Sequence, residues 1–290
     1  MNLLQAIFLG FIQGVSEFLP ISSSGHLAIF KNIFGLREAG LAFDVLLHLG
    51  TLVAVFIVYW RDIVRLIIDG VGIIADSCYN VFYAAIKNRH GRVVEYRGVI
   101  NTAYRKFALL VIVSTIPTAI IGVTAKGLIE EVGKTLIVPG ICLLITGVLL
   151  LISDLLTEGK KTPNKATYGN AFFIGITQGI ATLPGLSRSG TTITASLFCG
   201  FRRDFAVKYS FIMSIPAILG AVVLDVKNLF TETVTSAELA NYVVGTAIAA
   251  IVGYICIKTM LVVVRNKKFK YFAYYCFTVG AIAIIYHIFF

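Results

Sequence analysis

Residues 13–26 read QGVSEFLPISSSGH and residues 178–191 read QGIATLPGLSRSGT, two stretches related by a constant offset of 165 residues. The offset aligns five identical pairs, namely Gln13 with Gln178, Gly14 with Gly179, Ser22 with Ser187, Ser24 with Ser189 and Gly25 with Gly190. Chance rarely gives so many identities over so short a stretch. The two segments therefore predict two copies of one structural element.

The two copies differ at the positions that carry chemistry. Glu17 aligns with Thr182, Ser23 with Arg188 and His26 with Thr191. The first copy could supply a carboxylate, a nucleophile and an imidazole, whereas the second could supply a fixed positive charge. This division predicts one site that is assembled from both segments.

The composition of the whole chain predicts an integral membrane protein. Hydrophobic residues make up 58% of the 290 residues and charged residues 14%, with a mean hydropathy of +0.88, whereas about a quarter of the residues of soluble proteins are charged. Stretches long enough to cross a hydrocarbon core of about 30 Å are found at 42–60, 105–123, 136–157, 205–224, 239–262 and 271–290. Because the basic residues lie in loops beside these spans, the net charge of +10 indicates membrane topology and not nucleic-acid binding.

Each repeated turn lies between apolar segments that are too short to cross a bilayer. These segments are 2–18 and 26–34 around the first turn, and 168–182 and 191–200 around the second. Short apolar segments that are interrupted by Pro and Gly predict two re-entrant hairpins, 2–34 and 168–200, which enter the membrane and turn back. The predicted fold class is thus an all-α integral membrane protein with six full transmembrane helices and two re-entrant helical hairpins.

Three spans follow each hairpin, so the second half of the chain must start on the opposite face of the membrane. This arrangement predicts an inverted-topology repeat, with residues 1–160 as the first half and 161–290 as the second. The loops on one face carry 18 of the 25 Lys and Arg residues. Because cytoplasmic loops are enriched in Lys and Arg, both termini and the opening of the site are predicted on the outer face.

The stretch 61–104 has no counterpart in the second half and is interpreted as a structural or regulatory insert on the cytoplasmic side. Within it, residues 63–76 place apolar side chains among charged ones, as an amphipathic helix on the membrane surface would. Its basic residues are more simply a topology signal than a specific phospholipid site.

Both turns suit the binding of an oxyanion such as phosphate. A helix N-terminus presents unpaired backbone N–H groups, Gly allows close approach, and Ser adds hydroxyl donors. Arginine is costly inside a membrane and usually marks a site, so Arg188 is expected to hold an anionic group between the two turns. The candidate substrate-binding residues are Gln13, Ser22, Ser24, Gly25, Ser187, Ser189, Gly190 and Thr191.

The first segment also supplies the candidate catalytic residues. A carboxylate at Glu17 needs a cation partner in this environment, and it could bind a divalent metal, pair with Arg188, or accept a proton from Ser23. His26 lies three residues after Ser23 and could orient or deprotonate its hydroxyl, or attack phosphorus itself.

Asp44 and His48 are weaker candidates, one helical turn apart at the start of the first full span. Their spacing suits two metal ligands on one helix face, but no third ligand is apparent in the sequence. Both are interpreted as interfacial hydrogen-bonding residues.

The chain resembles the undecaprenyl-diphosphate phosphatase family, often called bacitracin resistance proteins. The first family signature is Glu or Gln, three residues, Glu, and then Phe-Leu-Pro-x-Ser-Ser-x-Gly-His, which Gln13 through His26 match. The second, Pro-Gly-x-Ser-Arg-Ser-Gly-x-Thr, is matched by Pro184 through Thr192. The resemblance covers the whole chain and implies an enzyme of the bacterial inner membrane, which removes one phosphate from undecaprenyl diphosphate, recycles the lipid carrier of cell-wall synthesis and confers bacitracin resistance.

The resemblance also implies a role for each matching residue. Ser23 corresponds to the nucleophile, His26 to its partner, Glu17 to a metal-binding or basic carboxylate, and Arg188 to the phosphate clamp. A divalent cation, Mg²⁺ or Ca²⁺, is implied as cofactor, with Glu17 as its one firm ligand. Gln13 stands at a motif position that can be Glu, so this chain lacks a second carboxylate there.

The implied reaction leaves several routes open. Ser23, deprotonated by His26 or Glu17, attacks the terminal phosphorus and water then releases phosphate; alternatively, His26 is the nucleophile, or water attacks directly. The competing hypothesis is a transporter or flippase of an anionic isoprenoid lipid, because broken helices and inverted repeats also occur in transporters. The expected partners are the polyprenyl diphosphate and the bilayer, with no nucleic acid, and the apolar spans are compatible with a homodimer.

Overall fold

The computed structural model describes residues 1–34, 41–90, 96–133, 135–229 and 235–289, and this part of the chain is helical. Its α-helices are α1 (Leu3–Phe18), α2 (Ser23–Ile33), α3 (Leu41–His90), α4 (Ala103–Thr124), α5 (Lys126–Val132), α6 (Ile137–Leu155), α7 (Tyr168–Ile180), α8 (Arg188–Phe198), α9 (Arg203–Leu229), α10 (Ser236–Arg265) and α11 (Lys270–Phe289). Within the described ranges, extended pairing is limited to an isolated bridge between Lys161 and Phe201.

Six of the described helices are long and apolar enough to cross a membrane, namely α3, α4, α6, α9, α10 and α11. Each contains one of the six predicted spans, apart from a few terminal residues and from Phe290, which lies outside the described residues. The prediction of an all-α membrane protein with six spans is therefore confirmed.

Two shorter helix pairs carry the repeated turns. Helices α1 and α2 flank the first turn, and α7 and α8 flank the second. At 1.5 Å per residue, the 16 residues of α1 extend about 24 Å and the 13 residues of α7 about 20 Å. Both lengths fall short of a hydrocarbon core of about 30 Å, so neither helix can cross it alone.

Small residues let each pair pack closely on a helix from the other half of the chain. Gly10 of α1 lies so close to α10 that a Cβ atom would clash with the carbonyl group of Gly245. Gly175, the matching residue of α7, lies equally close to the carbonyl group of Ser114 in α4. Such close backbone packing is typical of helix association in lipid, where the hydrophobic effect does not drive helices together.

The insert differs from its prediction in one respect. Residues 63–76 are helical, but they continue the span of α3 after a break in helical geometry at Tyr59 (φ −108°, ψ 21°). Ile67 and Ile74, expected on the apolar face of a surface helix, are 61% and 65% exposed. Because neither Pro nor Gly interrupts residues 51–69, no backbone signal ends the helix where its side chains become polar.

Candidate active site

The first turn ends α1 and starts α2 with a serine cap. Ser22 has a left-handed backbone conformation (φ 71°), and its hydroxyl accepts a hydrogen bond from the N–H group of Gly25 at 3.3 Å. This cap fixes the start of α2, where Ser23 lies. The hydroxyl of Ser23 donates to Oε2 of Glu17, near the end of α1, at 2.6 Å.

The second turn repeats the serine cap, with Ser187 in an extended conformation (φ −70°, ψ 115°), and presents a guanidinium. Ser187 caps α8 by accepting a hydrogen bond from the N–H group of Gly190 at 3.1 Å. Gly185 has a left-handed conformation (φ 91°) and packs against the backbone of Pro139, where a side chain has no room. Because Ser187 is the cap, Arg188 is the first residue of α8.

The two turns touch each other. A Cβ atom on Gly25 would lie 3.1 Å from Cα of Gly185, and one on Gly190 would lie 3.1 Å from Cβ of Pro20. At this contact, Nη2 of Arg188 donates to Oε1 of Glu17 at 2.5 Å. The predicted meeting of a hydroxyl from one turn with a guanidinium from the other is therefore found, and Glu17 joins them.

Glu17 is the centre of the polar network. Its side chain is almost fully buried and accepts hydrogen bonds from Arg188, Ser23 and, at 3.1 Å, Nε2 of Gln13. Nε2 of His48 lies 4.0 Å from its Oε2 atom. A buried carboxylate is tolerated when it is paired and hydrogen-bonded, and Arg188 supplies the compensating charge.

A cavity of about 340 Å³ opens onto this network, within the range of small-molecule sites. Its polar wall includes Glu17, Ser23, Ser24, Thr182 and Arg188, and its apolar wall is formed by α9 through Ala217, Ile218, Ala221 and Val222. Nη1 of Arg188 is buried and has no hydrogen-bond partner among the described residues. The guanidinium therefore has a donor that pairs with no group in the described part of the chain.

Most of the other predicted binding residues lie behind the cavity wall. All of them are buried, and they comprise Gln13, Ser22, Gly25, Ser187, Ser189, Gly190 and Thr191. Gln13 supports Glu17, while Ser22 and Ser187 cap α2 and α8 through the N–H groups of Gly25 and Gly190. Of the predicted set, Glu17, Ser23, Ser24 and Arg188 reach the cavity itself.

His26 lies outside this network. Its Nδ1 atom is 2.8 Å from the carbonyl oxygen of Ser22, and its Nε2 atom is 2.7 Å from the hydroxyl of Tyr275 on α11. The side chain lines a separate, largely apolar cavity between α1 and α11. The structure therefore does not bring His26 to the hydroxyl of Ser23, because both ring nitrogens have other partners.

Asp44 and His48 line the cavity, which their interpretation as interfacial residues missed. The expected hydrogen bonds do form, since Nδ1 of His48 contacts the carbonyl oxygen of Asp44 at 2.8 Å and Oδ2 of Asp44 accepts from Lys31 at 2.6 Å. The Asp-x-x-x-His spacing, which places both side chains on one helix face, was the feature of the sequence that could have indicated their place at the cavity. Nothing in the sequence of α9 distinguishes its cavity-lining residues from other apolar ones.

The sequence pattern of the family described as bacitracin resistance protein BacA matches residues 6–282. The chain belongs to the BacA family. One relative of this BacA-family chain is an undecaprenyl-diphosphatase from Methanosphaera stadtmanae, 40% identical over 285 residues, which are 98% of each chain. Proteins of the same name from Alkaliphilus metalliredigens (38% identity, 99% of each chain) and Desulforapulum autotrophicum (39% identity, 98% of each chain) are similar over their whole length.

The arrangement around Glu17 does not form a metal centre built by the protein alone. No group of three His, Cys, Asp or Glu side chains suited to a metal ion is found among the described residues of the BacA-family chain. Both oxygens of Glu17 already accept hydrogen bonds. The amide oxygen of Gln13 has no partner in the described part of the chain. It is a single neutral metal ligand, and one such ligand does not hold Mg²⁺ or Ca²⁺.

Proposed function

We propose that this chain is an undecaprenyl-diphosphatase, which hydrolyses undecaprenyl diphosphate to undecaprenyl phosphate and phosphate. Membership of the BacA family and the names of the relatives support this function. One observation carries it: the hydroxyl of Ser23 donates at 2.6 Å to Glu17, which Arg188 holds from the other turn. A transporter needs ligands for its anion but no hydroxyl aligned on a base. The activity recycles the lipid carrier of cell-wall synthesis and gives resistance to bacitracin.

The two walls of the cavity support a lipid diphosphate as the substrate. The polar wall suits the diphosphate, because Nη1 of Arg188 and the N-termini of α2 and α8 offer donors to its oxygens. The apolar wall from α9 suits the first isoprenoid units. The remaining tail would pass between the spans into the bilayer.

The first chemical step follows from the bond between Ser23 and Glu17. The proton of the Ser23 hydroxyl passes to Oε2 of Glu17 as Oγ bonds to the terminal phosphorus. The bond from that phosphorus to the bridging oxygen breaks, and undecaprenyl phosphate leaves. Arg188 stabilises the charge on the transferring phosphoryl group. Water then hydrolyses the phosphoserine and releases phosphate.

The divalent cation expected from the sequence, Mg²⁺ or Ca²⁺, is proposed to arrive with the diphosphate. Glu17 has Arg188 as its charge partner in this arrangement, and Mg²⁺ commonly keeps few protein ligands beside substrate phosphates. The cation would lower the charge of the bound diphosphate. The steps assigned here to Ser23, Glu17 and Arg188 do not depend on it.

The function is proposed to operate in two inverted halves, 1–160 and 161–290, in the bacterial inner membrane. The lengths of α1 and α7 and their packing on the opposite half support two re-entrant hairpins. The distribution of Lys and Arg supports termini and a site opening on the outer face. The bilayer and the lipid diphosphate are then its partners, and a homodimer stays a prediction.

The test is phosphate release from undecaprenyl diphosphate by the purified protein in detergent. Ser23→Ala is expected to lower turnover by about 10⁴-fold, because removing a nucleophile removes the covalent route. Ser236→Ala, an exposed serine at the start of α10, is the matched control and should turn over as the wild type does. Lack of phosphate release by the wild type would contradict the function, and full activity of Ser23→Ala would contradict the role of Ser23.

A further inference from the structure

The second half of the proposed reaction needs a proton acceptor that the first half does not provide. This inference rests on the proposed function and on the covalent route through Ser23. Once Glu17 has taken the proton of Ser23, its carboxyl group is neutral and cannot deprotonate the water that hydrolyses the phosphoserine. Another base must face the same side of the cavity.

His48 has the geometry of that base. Its Nδ1 atom lies 2.8 Å from the carbonyl oxygen of Asp44, and since a carbonyl oxygen only accepts hydrogen bonds, Nδ1 carries the proton. Nε2 is then an acceptor with a free lone pair. It lies 4.0 Å from Oε2 of Glu17, and the side chain is 35% exposed at the cavity.

The distance between these two acceptors has a chemical meaning. At 4.0 Å, Nε2 of His48 and Oε2 of Glu17 are too far apart for a direct hydrogen bond. Oε2 of Glu17 also accepts the hydrogen bond from the hydroxyl of Ser23. A phosphoryl group on Ser23 would therefore lie beside the space between Nε2 of His48 and Oε2 of Glu17. A water molecule there could donate to Nε2 and face the phosphorus.

We propose that His48 is the general base that activates the hydrolytic water in the second step. Nε2 takes a proton from the water as its oxygen bonds to phosphorus, and the bond from phosphorus to Oγ of Ser23 breaks. Glu17 returns its proton to Oγ. Phosphate leaves, and the imidazolium passes its extra proton to solvent at the exposed edge of the ring. Serine, carboxylate and imidazole are all restored.

The other polar groups near the cavity are less suited to this role. The carboxylate of Asp44 is already paired with Lys31 at 2.6 Å. Both ring nitrogens of His26 are engaged on the far side of α2. Arg188 pairs with Glu17, and a guanidinium has donors but no acceptor. Among the described residues that line the cavity, His48 therefore offers an imidazole nitrogen next to Ser23 and Glu17.

The experiment compares His48→Gln with His287→Gln, the same substitution at an exposed histidine near the end of α11. Each protein receives undecaprenyl diphosphate with a radiolabelled terminal phosphate and is quenched in acid. His48→Gln is expected to lose about 10²- to 10⁴-fold in turnover, the range of general-base catalysis, and to accumulate acid-stable label on Ser23. His287→Gln should retain wild-type turnover without this accumulation.

The outcomes separate this inference from the function on which it rests. Label that appears in His48→Gln and disappears in the double variant Ser23→Ala/His48→Gln supports the proposal. Wild-type turnover in His48→Gln overturns it, and so does an inactive but folded His48→Gln without label, since His48 would then act before the phosphoserine forms. Neither of these two results would contradict the diphosphatase function if the wild type releases phosphate. Only a wild type that releases no phosphate would contradict that function.

Discussion

The turn at Ser22–Gly25 and the turn at Ser187–Gly190 share a capping pattern but differ in backbone conformation and in chemistry, since φ is 71° at Ser22 and −70° at Ser187. In each, a serine hydroxyl caps a helix by accepting from the glycine N–H three residues later. In each, that hydroxyl lies 3.3 to 3.4 Å from the serine two residues on. The position between the two serines is Ser23 in one turn and Arg188 in the other. The two turns thus share their capping pattern, and one position distinguishes them, with a hydroxyl in the first turn and a guanidinium in the second.

The residues before the turns show why neither copy is sufficient alone. Glu17 of α1 is a buried charge whose cation partner comes from the second turn. Thr182, its counterpart, is neutral, and its hydroxyl donates to the carbonyl oxygen of Gly179 at 2.6 Å, within its own segment. The second copy has no buried carboxylate, but its Arg188 pairs with Glu17. Each copy therefore supplies the counter-charge of the other.

The largest effect within this comparison is expected for Arg188→Lys. Lysine keeps the positive charge beside Glu17 but loses the planar fork whose Nη1 donor has no partner among the described residues. Turnover of undecaprenyl diphosphate is expected to fall by about 10²- to 10³-fold, as for the loss of one donor to a developing negative charge. Thermal stability in detergent should change little, because the buried charges remain paired.

The matched control for this substitution is Arg61→Lys at an exposed position of α3, which should leave turnover unchanged. Wild-type turnover in Arg188→Lys would show that the second turn supplies charge alone. The second turn would then differ from the first by its positive charge, and the planar shape of the guanidinium would not matter for turnover.

A smaller and equal effect on both turns is expected for Ser22→Ala and Ser187→Ala. Each substitution removes the cap of one helix, and loss of a serine cap costs about 1 kcal/mol of unfolding free energy. Thermal unfolding in detergent measures both variants against the wild type. A large loss in one variant only would show that the turns are not equivalent frames.

A further effect of about the same size concerns His26, whose aligned residue in the second turn is Thr191. His26→Asn and Tyr275→Phe both remove the hydrogen bond of 2.7 Å between α2 and α11. In a double-mutant cycle the two substitutions should be coupled by about 1 kcal/mol of stability, measured by thermal unfolding. Both should retain more turnover than His48→Gln does. If His26→Asn abolished hydrolysis and Tyr275→Phe did not, His26 would act in the chemistry.

Much of the site could be predicted because its signals are local. The repeat identified Ser23 and Arg188 through types and spacings of residues, and charge in an apolar chain identified Glu17, since a carboxylate there needs a partner. His26 was favoured because it follows Ser23 closely along the chain. Nearness in sequence did not fix the direction of its ring, which the carbonyl group of Ser22 and the hydroxyl of Tyr275 determine.

The sequence by itself determined the six spans, the two turns and the pairing of their chemistry, because hydropathy and repeated motifs are properties of single segments. Only the tertiary structure decided which of two histidines lies at the cavity beside Ser23 and which helix forms the apolar wall. His48 and Ala217 lie on spans that are distant from both turns in the chain. Their place beside Glu17 results from the packing of α3 and α9, and no local pattern of residues encodes that packing.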